Sequence, residues 1–181
     1  DCLERIAVLS DRVRARCPTD AKPKAILGHV NWVLFIEEGF HGNQDEYYDP
    51  RNSYLNEVLD RKTGIPISLS ILYAAIAEPL GLRLSGVNLP AHYVLRVEGA
   101  EPPIFVDAYH AGAVLDADSC EKRVSSVIGR PVRLTESQFD ACSSRTIVAR
   151  LLRNLKAIHV QTDEYPSAFK VARRLAAIEP T

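Results

Sequence analysis

From Pro66 to Ala77 the chain reads Pro-Ile-Ser-Leu-Ser-Ile-Leu-Tyr-Ala-Ala-Ile-Ala, with no charged residue and apolar side chains on nearly every side of a helix. A helix without a polar stripe has no face to offer water, so other elements must pack around it. Pro66 suits the first helical turn, where the missing N–H is no loss. Pro79 ends or kinks the element, and Gly81 completes the stop. The run is shorter than the roughly 20 residues that a membrane-spanning helix needs. It therefore predicts a buried central helix, and no membrane partner. A chain of 181 residues has interior enough to surround it, and 46% hydrophobic with 25% charged residues is a globular balance, not a disordered or fibrous one.

The flanking segments supply the packing. Leu3, Ile6, Ala7, Leu9 and Val13 recur at helical spacing until Pro18. A second helix is expected from an Asp20 cap, through Ile26, Val30, Val33 and Leu34, to Gly39. Residues 40–50 have no period and read as a long loop. A third helix is expected from Asn52 or Ser53 through Leu55, Val58 and Leu59 to Gly64. Beyond Gly81 the pattern alternates. Leu82–Val87, Tyr93–Val97 and Ile104–Ala108 read as strands, the last two joined by a connection at 98–103. A short strand or helix is expected around Val124–Leu134. Ser144 or Thr146 can cap a helix carrying Ile147, Leu151, Leu155 and Ile158. A second follows through Phe169, Val171, Leu175 and Ile178 to Pro180. Helices, then a small antiparallel sheet, then a helical hairpin make an α+β fold.

If the hairpin turns near residue 100, cross-strand partners have numbers summing to about 199–201, and His92 lies on the same sheet face as Asp107. A carboxylate beside an imidazole fixes its tautomer, as in the base and orienter of a nucleophile triad. The same pair also serves as a buried tie between strands.

The residues carry a resemblance. Asn43-Gln44-Asp45-Glu46-Tyr47-Tyr48-Asp49-Pro50-Arg51-Asn52-Ser53-Tyr54-Leu55-Asn56-Glu57-Val58-Leu59, then Gly64-Ile65-Pro66-Ile67-Ser68-Leu69-Ser70, Gly86-Val87-Asn88-Leu89-Pro90-Ala91-His92 and Val106-Asp107-Ala108-Tyr109-His110 resemble the transglutaminase-like domain of SirB-type bacterial proteins. The module is also similar to a segment of an F-box-only protein. The resemblance implies a papain-like core with a thiol at the start of the central helix and His92 and Asp107 as the matching histidine and aspartate. The thiol does not carry over: its slot falls near Pro66, and no cysteine lies between Cys17 and Cys120. Transglutaminase and cysteine-protease chemistry thus lack their nucleophile. Ser68 is the candidate replacement, or else a helix-start hydroxyl satisfying a free backbone N–H. The residues expected along a binding groove are Asn52, Pro66, Ser68, Asn88, His92 and Tyr109. The stretch Ile147–Pro180 is about 34 residues, one tetratricopeptide length, and resembles such a repeat. The expected division is a transglutaminase-like domain at 1–142 and a helical hairpin at 143–181.

The remaining signals set partners and compartment. Twenty-two basic and 23 acidic residues leave a net charge of −1, against a dominant nucleic-acid partner and in keeping with a protein or peptide one. The basic residues of the tail, Arg150, Arg153, Lys156, Lys170, Arg173 and Arg174, read as a solvated helix face. His41, Asp45, Glu46, Asp49 and His110 match no strong metal-ligand spacing, and neither metal nor cofactor is expected. Gly28 and Gly42 form no phosphate loop. Tyr47, Tyr48 and Tyr54 read as anchors of the long loop or lining of a peptide groove. Cys2, Cys17, Cys120 and Cys142 form no CxxC pair, and a chain of this size needs no disulfide staples, so reduced thiols and a cytoplasmic setting are expected. Methionine is absent even at position 1, and the chain is expected to be part of a longer protein.

Overall fold

A computed structural model describes residues 1–179. Its elements in order are α1 (Cys2–Arg16), α2 (Pro23–Asn31), β1 (His41–Gly42), α3 (Leu55–Arg61), β2 (Thr63–Gly64), α4 (Pro66–Ala77), β3 (Leu84–Val87), β4 (Val94–Val97), β5 (Phe105–Asp107), β6 (Ala113–Leu115), α5 (Ala117–Ile128), α6 (Ser144–Gln161) and α7 (Tyr165–Ile178). The fold is α+β. Strands β3-β4-β5-β6 form an antiparallel sheet in that order, and β1 and β2 form a separate parallel pair. Leu95 faces Val106 and Arg96 faces Phe105, a register within the range the hairpin length implies.

Helix α4 is the centre, as its unbroken apolar surface demands. On one side it meets Ile6, Leu9 and Val13 of α1, Ile26 and Val30 of α2, and Val58 and Leu59 of α3. On the other it meets Leu95, Val97 and Val106, the residues that β4 and β5 turn toward it. The alternate strand positions, Val87, Val94 and Phe105, face the opposite way and pack on Cys120 and Val124 of α5. Each large side chain so buried contributes roughly 1.5–3 kcal/mol.

The C-terminal helices lie against the start of α4. Ile147 and Leu151 of α6 pack on Ile65, Ile67 and Tyr93. Helices α6 and α7 close on each other through Leu152, Leu155 and Val171, and the start of α6 meets the end of α7 where Arg145 and Arg153 bond Ile178 and Glu179. No helix among the described residues is long and apolar enough to cross a membrane.

Several local expectations are corrected. Helix α2 begins at Pro23 after Lys22 rather than at an Asp20 cap, because proline pre-sets the helical φ and lacks the N–H that a cap would satisfy. It does not run evenly to Gly39 but passes into a π-helical turn at Trp32–Glu37. Residues 50–53 form a separate 3-10 turn capped by Asp49, so α3 starts only at Leu55. That helix ends at Lys62, in the left-handed region at φ 59, which frees Gly64 to pair with Gly42. The loop expected at 40–50 therefore holds a strand. Helix α5 begins well before the stretch expected around 124–134, and β6 precedes it. The last helix ends at Ile178; Pro180, its expected limit, lies outside the described residues.

Candidate functional site

Asp107 ends β5 and starts a 3-10 turn at Ala108–His110, where its Oδ1 accepts the His110 N–H at 3.3 Å. Its Oδ2 is the meeting point of three side chains. His92 Nε2 lies 3.0 Å away, His110 Nδ1 2.8 Å and Arg123 Nε of α5 3.1 Å. The aspartate is fully buried, and His92 is 2% exposed. Burial alone would raise the Asp107 pKa; the hydrogen bonds from His110 and His92 outweigh it and hold the carboxyl well below the usual range. Asp107 is thus an anion with Arg123 as counter-ion and two imidazoles as donors.

The turn that carries His110 is pinned from outside. Ala111 and Gly112 both take left-handed backbone, at φ 53 and φ 70. Asn31 Nδ2 donates to the Gly112 carbonyl at 2.9 Å, and Asn31 Oδ1 accepts from the Tyr73 hydroxyl at 2.8 Å. A Cβ at position 112 would stand 1.9 Å from that Oδ1, so glycine is required there. Gly42 has a similar reason: a Cβ would stand 2.6 Å from the Tyr109 ring. Tyr109 donates its hydroxyl to the Asn43 carbonyl at 2.8 Å and sets its ring edge-on to Tyr47 and to His92.

Those contacts leave His110 as the outward imidazole. Its side chain is 29% exposed, and it lines an open groove of about 500 Å³ with Phe35, Ile36, His41, Asp45 and Tyr109. With Nδ1 on the carboxylate, Nε2 is the ring atom left without a partner among the described residues. His92, by contrast, reaches Asp107 through Nε2 and is sealed.

Ser68 sits at the start of α4, two residues inside Pro66, and its hydroxyl is fully engaged. It donates to the Asn52 carbonyl at 2.6 Å and accepts from the Ile65 N–H at 3.1 Å. Asn52 is equally occupied: its amide donates to the Glu46 carbonyl and its Oδ1 accepts from Asn43. Of the residues expected along a groove, Asn52, Pro66, Ser68 and His92 are interior, Tyr109 is partly exposed and Asn88 is exposed. The cysteines lie elsewhere, at the start of α1 (Cys2), just after it (Cys17), within α5 (Cys120) and just before α6 (Cys142), all four free.

Of the acidic loop residues, Asp45 lines the groove with His41 and His110, while Glu46 and Asp49 are engaged elsewhere. Asp49 and Glu46 pair with Arg61, and Asp49 also with Arg51. The one group of metal-ligand atoms among the described residues is His92, Asp107 and His110. Arg123 already places a fixed cation 3.1 Å from the shared oxygen, which opposes a divalent ion there. Sequence reasoning missed Arg123, which nothing local marks, and missed His110 as a partner of Asp107, although the three-residue spacing of a capped turn was visible. It also placed Arg150 on a solvated face. The structure turns Arg150 inward against Tyr93, since three residues after Ile147 is the packed side of α6.

A family model for the transglutaminase-like superfamily matches residues 1–153. Over 154 residues the chain is 38% identical to a UPF0162 protein of Xylella fastidiosa (strain 9a5c), covering 83% of this chain and 55% of that protein. Over 144 residues it is 31% identical to a UPF0162 protein of Pseudomonas aeruginosa, covering 80% and 52%. F-box only protein 21 of Mus musculus is 36% identical over 141 residues, covering 74% of this chain and 22% of that protein. The chain spans about half the length of the bacterial relatives. No solved structure matches it. The model match runs from the first residue of the chain into α6 and takes in the whole His92–Asp107 cluster, so the chain belongs to the transglutaminase-like superfamily.

Proposed function

We propose that this domain is a non-catalytic protein- or peptide-binding module of a SirB-type regulatory protein, with the helical pair α6–α7 as a tetratricopeptide-like unit. The observation that carries this reading is the sealed His92 ring, held by Asp107 with no thiol or free hydroxyl bonded to it. An imidazole that must take a proton from a nucleophile has to reach it, and the replacement candidate, Ser68, spends its hydroxyl on Asn52. The His92–Asp107 pair then serves as a strand tie. Docking falls on the exposed rim formed by Asn88, Tyr47 and Tyr109 rather than on the start of α4, which α6 covers. Four free cysteines fit a reducing, cytoplasmic setting.

The test is selection from a displayed peptide library on the purified domain, with affinities measured for Tyr109→Ala. Enriched peptides that lose affinity in that variant support the module. No enrichment after repeated rounds counts against it.

One observation favours a hydrolytic alternative. His110 has its Nδ1 on Asp107 and its other nitrogen on the groove side, the arrangement of a base that activates water. The serine form of that alternative, with Ser68 as nucleophile and His92 as base, predicts labelling of Ser68 by a fluorophosphonate that is lost in His92→Ala. Absence of labelling removes the serine version. Hydrolysis of ester or amide reporters that disappears in His110→Gln would establish the water version.

A further inference from the structure

Arg150 projects from the packed side of α6 into a place with no acid. Its guanidinium lies over the Tyr93 ring, 5.5 Å from the centroid, and Nη1 donates one long bond, 3.3 Å, to the Leu89 carbonyl. The ionisable groups that surround it are the Tyr47 and Tyr93 phenols and the Cys142 thiol, all neutral near pH 7. No carboxylate among the described residues pairs with it. Its neighbours along the helix behave differently, because Arg153 is exposed and bonded to Glu179.

A guanidinium offers five N–H donors in one plane. Arg150 uses one of them, and burial disfavours its charge without a counter-ion to compensate. A protein that keeps such a cation beside aromatic rings has a place prepared for an anion. We propose that Arg150, flanked by Tyr47 and Tyr93, is a carboxylate-binding subsite of the docking rim. A single delocalised cation among neutral groups is matched by a monoanion; a dianionic phosphate would leave a charge uncompensated. The fork geometry takes a carboxylate through two parallel hydrogen bonds. Tyr47 is 36% exposed and sets its ring against Tyr109, so the subsite continues into the aromatic rim that reaches Tyr109 and His110. The ligand is a peptide carboxylate, either an acidic side chain or the C-terminus of the peptide. This inference rests on the peptide-binding reading and gives it a chemistry.

The experiment titrates the 181-residue chain, labelled with nitrogen-15, and follows the Arg150 Nε–H resonance by NMR. The probes are N-acetylglycine for a terminal carboxylate, the α-amide of N-acetylglutamate for a side-chain one, N-acetylglycinamide as the neutral control, and inorganic phosphate. The expected result is saturable movement with at least one carboxylate and none with the amide. Affinity, followed in parent and variants alike through the backbone amide shifts of Leu89 and Tyr93 beside the guanidinium, is expected to fall about tenfold or more in Arg150→Gln, and less in Tyr47→Phe, which keeps the fold if Arg150→Gln does not. Preference between the two acids tells a peptide terminus from an acidic side chain. The proposal is overturned if neither acid moves the resonance up to ~100 mM, if the amide moves it equally, if phosphate binds more tightly, or if Arg150→Gln binds as well as the parent. Because the probes are single amino-acid derivatives, a negative titration with a successful library selection rejects the subsite and keeps the module. A positive titration with a failed selection does the reverse.

Discussion

Asp107→Asn keeps the side chain's shape and removes its charge. In the parent, Oδ2 receives His92, His110 and Arg123, and Oδ1 receives the His110 N–H. An asparagine has one acceptor oxygen for these two positions. If its oxygen takes the three-donor site, its amide N–H₂ opposes the His110 backbone N–H. If the amide is flipped, the N–H₂ faces the Arg123 guanidinium, which cannot accept. The histidines can change tautomer; the arginine cannot. Breaking a buried charge pair typically costs about 3–5 kcal/mol. Arg123 is 28% exposed and can turn partly to water, which puts the cost near the lower end, about 3 kcal/mol. That is a large share of a domain's total of roughly 5–15 kcal/mol, and at roughly 2–4 °C per kcal/mol lowers Tm by about 6–12 °C. Urea unfolding followed by circular dichroism at pH 7 measures it. The parent's Asp107 pKa is depressed on folding, so its contribution is present above the unfolded value of about 3.9 and is lost as pH falls toward the native one. The gap between parent and variant should therefore narrow on acidification below about pH 4. A variant within about 1 kcal/mol of the parent at neutral pH, or a gap that stays constant in acid, refutes the role given to this carboxylate.

Three further outcomes follow from the packing. Gly42→Ala drives a methyl group into the Tyr109 ring and should cost about 1–3 kcal/mol in a thermal melt; an unchanged Tm means the approach is not tight. Leu151→Ala should cost about 1–2 kcal/mol, less than for a fully buried leucine, and should speed amide hydrogen exchange at Ile65–Ile67; unaltered exchange there would mean α6 does not shield the start of α4. Burial pushes the Cys120 thiol up to about 12, so iodoacetamide at about pH 8 should leave it intact in the folded protein and alkylate it in urea; rapid native labelling would contradict its burial between α5 and the sheet.

What was legible in the sequence was what one segment decides by itself. Helix α4 was visible because its residues leave no polar face, and the β4–β5 register because a short connection fixes it. The cap of α2 was misplaced because Pro23 and Asp20 compete within one turn and the proline prevails. The end of α3 at Lys62 was hidden because lysine has no preference for left-handed backbone; the parallel β1–β2 pair imposes it. That pair is two residues long and joins segments some 20 residues apart, too little pattern for any periodicity to reveal. His92 and Asp107 were readable as partners because strand geometry relates them. Arg123 and Arg150 were not, since helices α5 and α6 bring them to the sheet only through tertiary packing. At Arg150 the helical period holds the clue: the residue lies on the same side as Ile147 and Leu151 and so belongs to the packed face, not to the surface charges.

The inaccessibility of His92 beside an accessible His110 separates a strand tie from a working base. Carbethoxylation of the native protein with diethyl pyrocarbonate, read residue by residue by mass spectrometry, measures it directly. The expected result is modification of His41 and His110 in the folded state and of His92 only after unfolding in urea. Modification of His92 in the native protein at a rate comparable to His110 would mean that its ring opens to solvent, and the reading of the His92–Asp107 pair as a strand tie would fall.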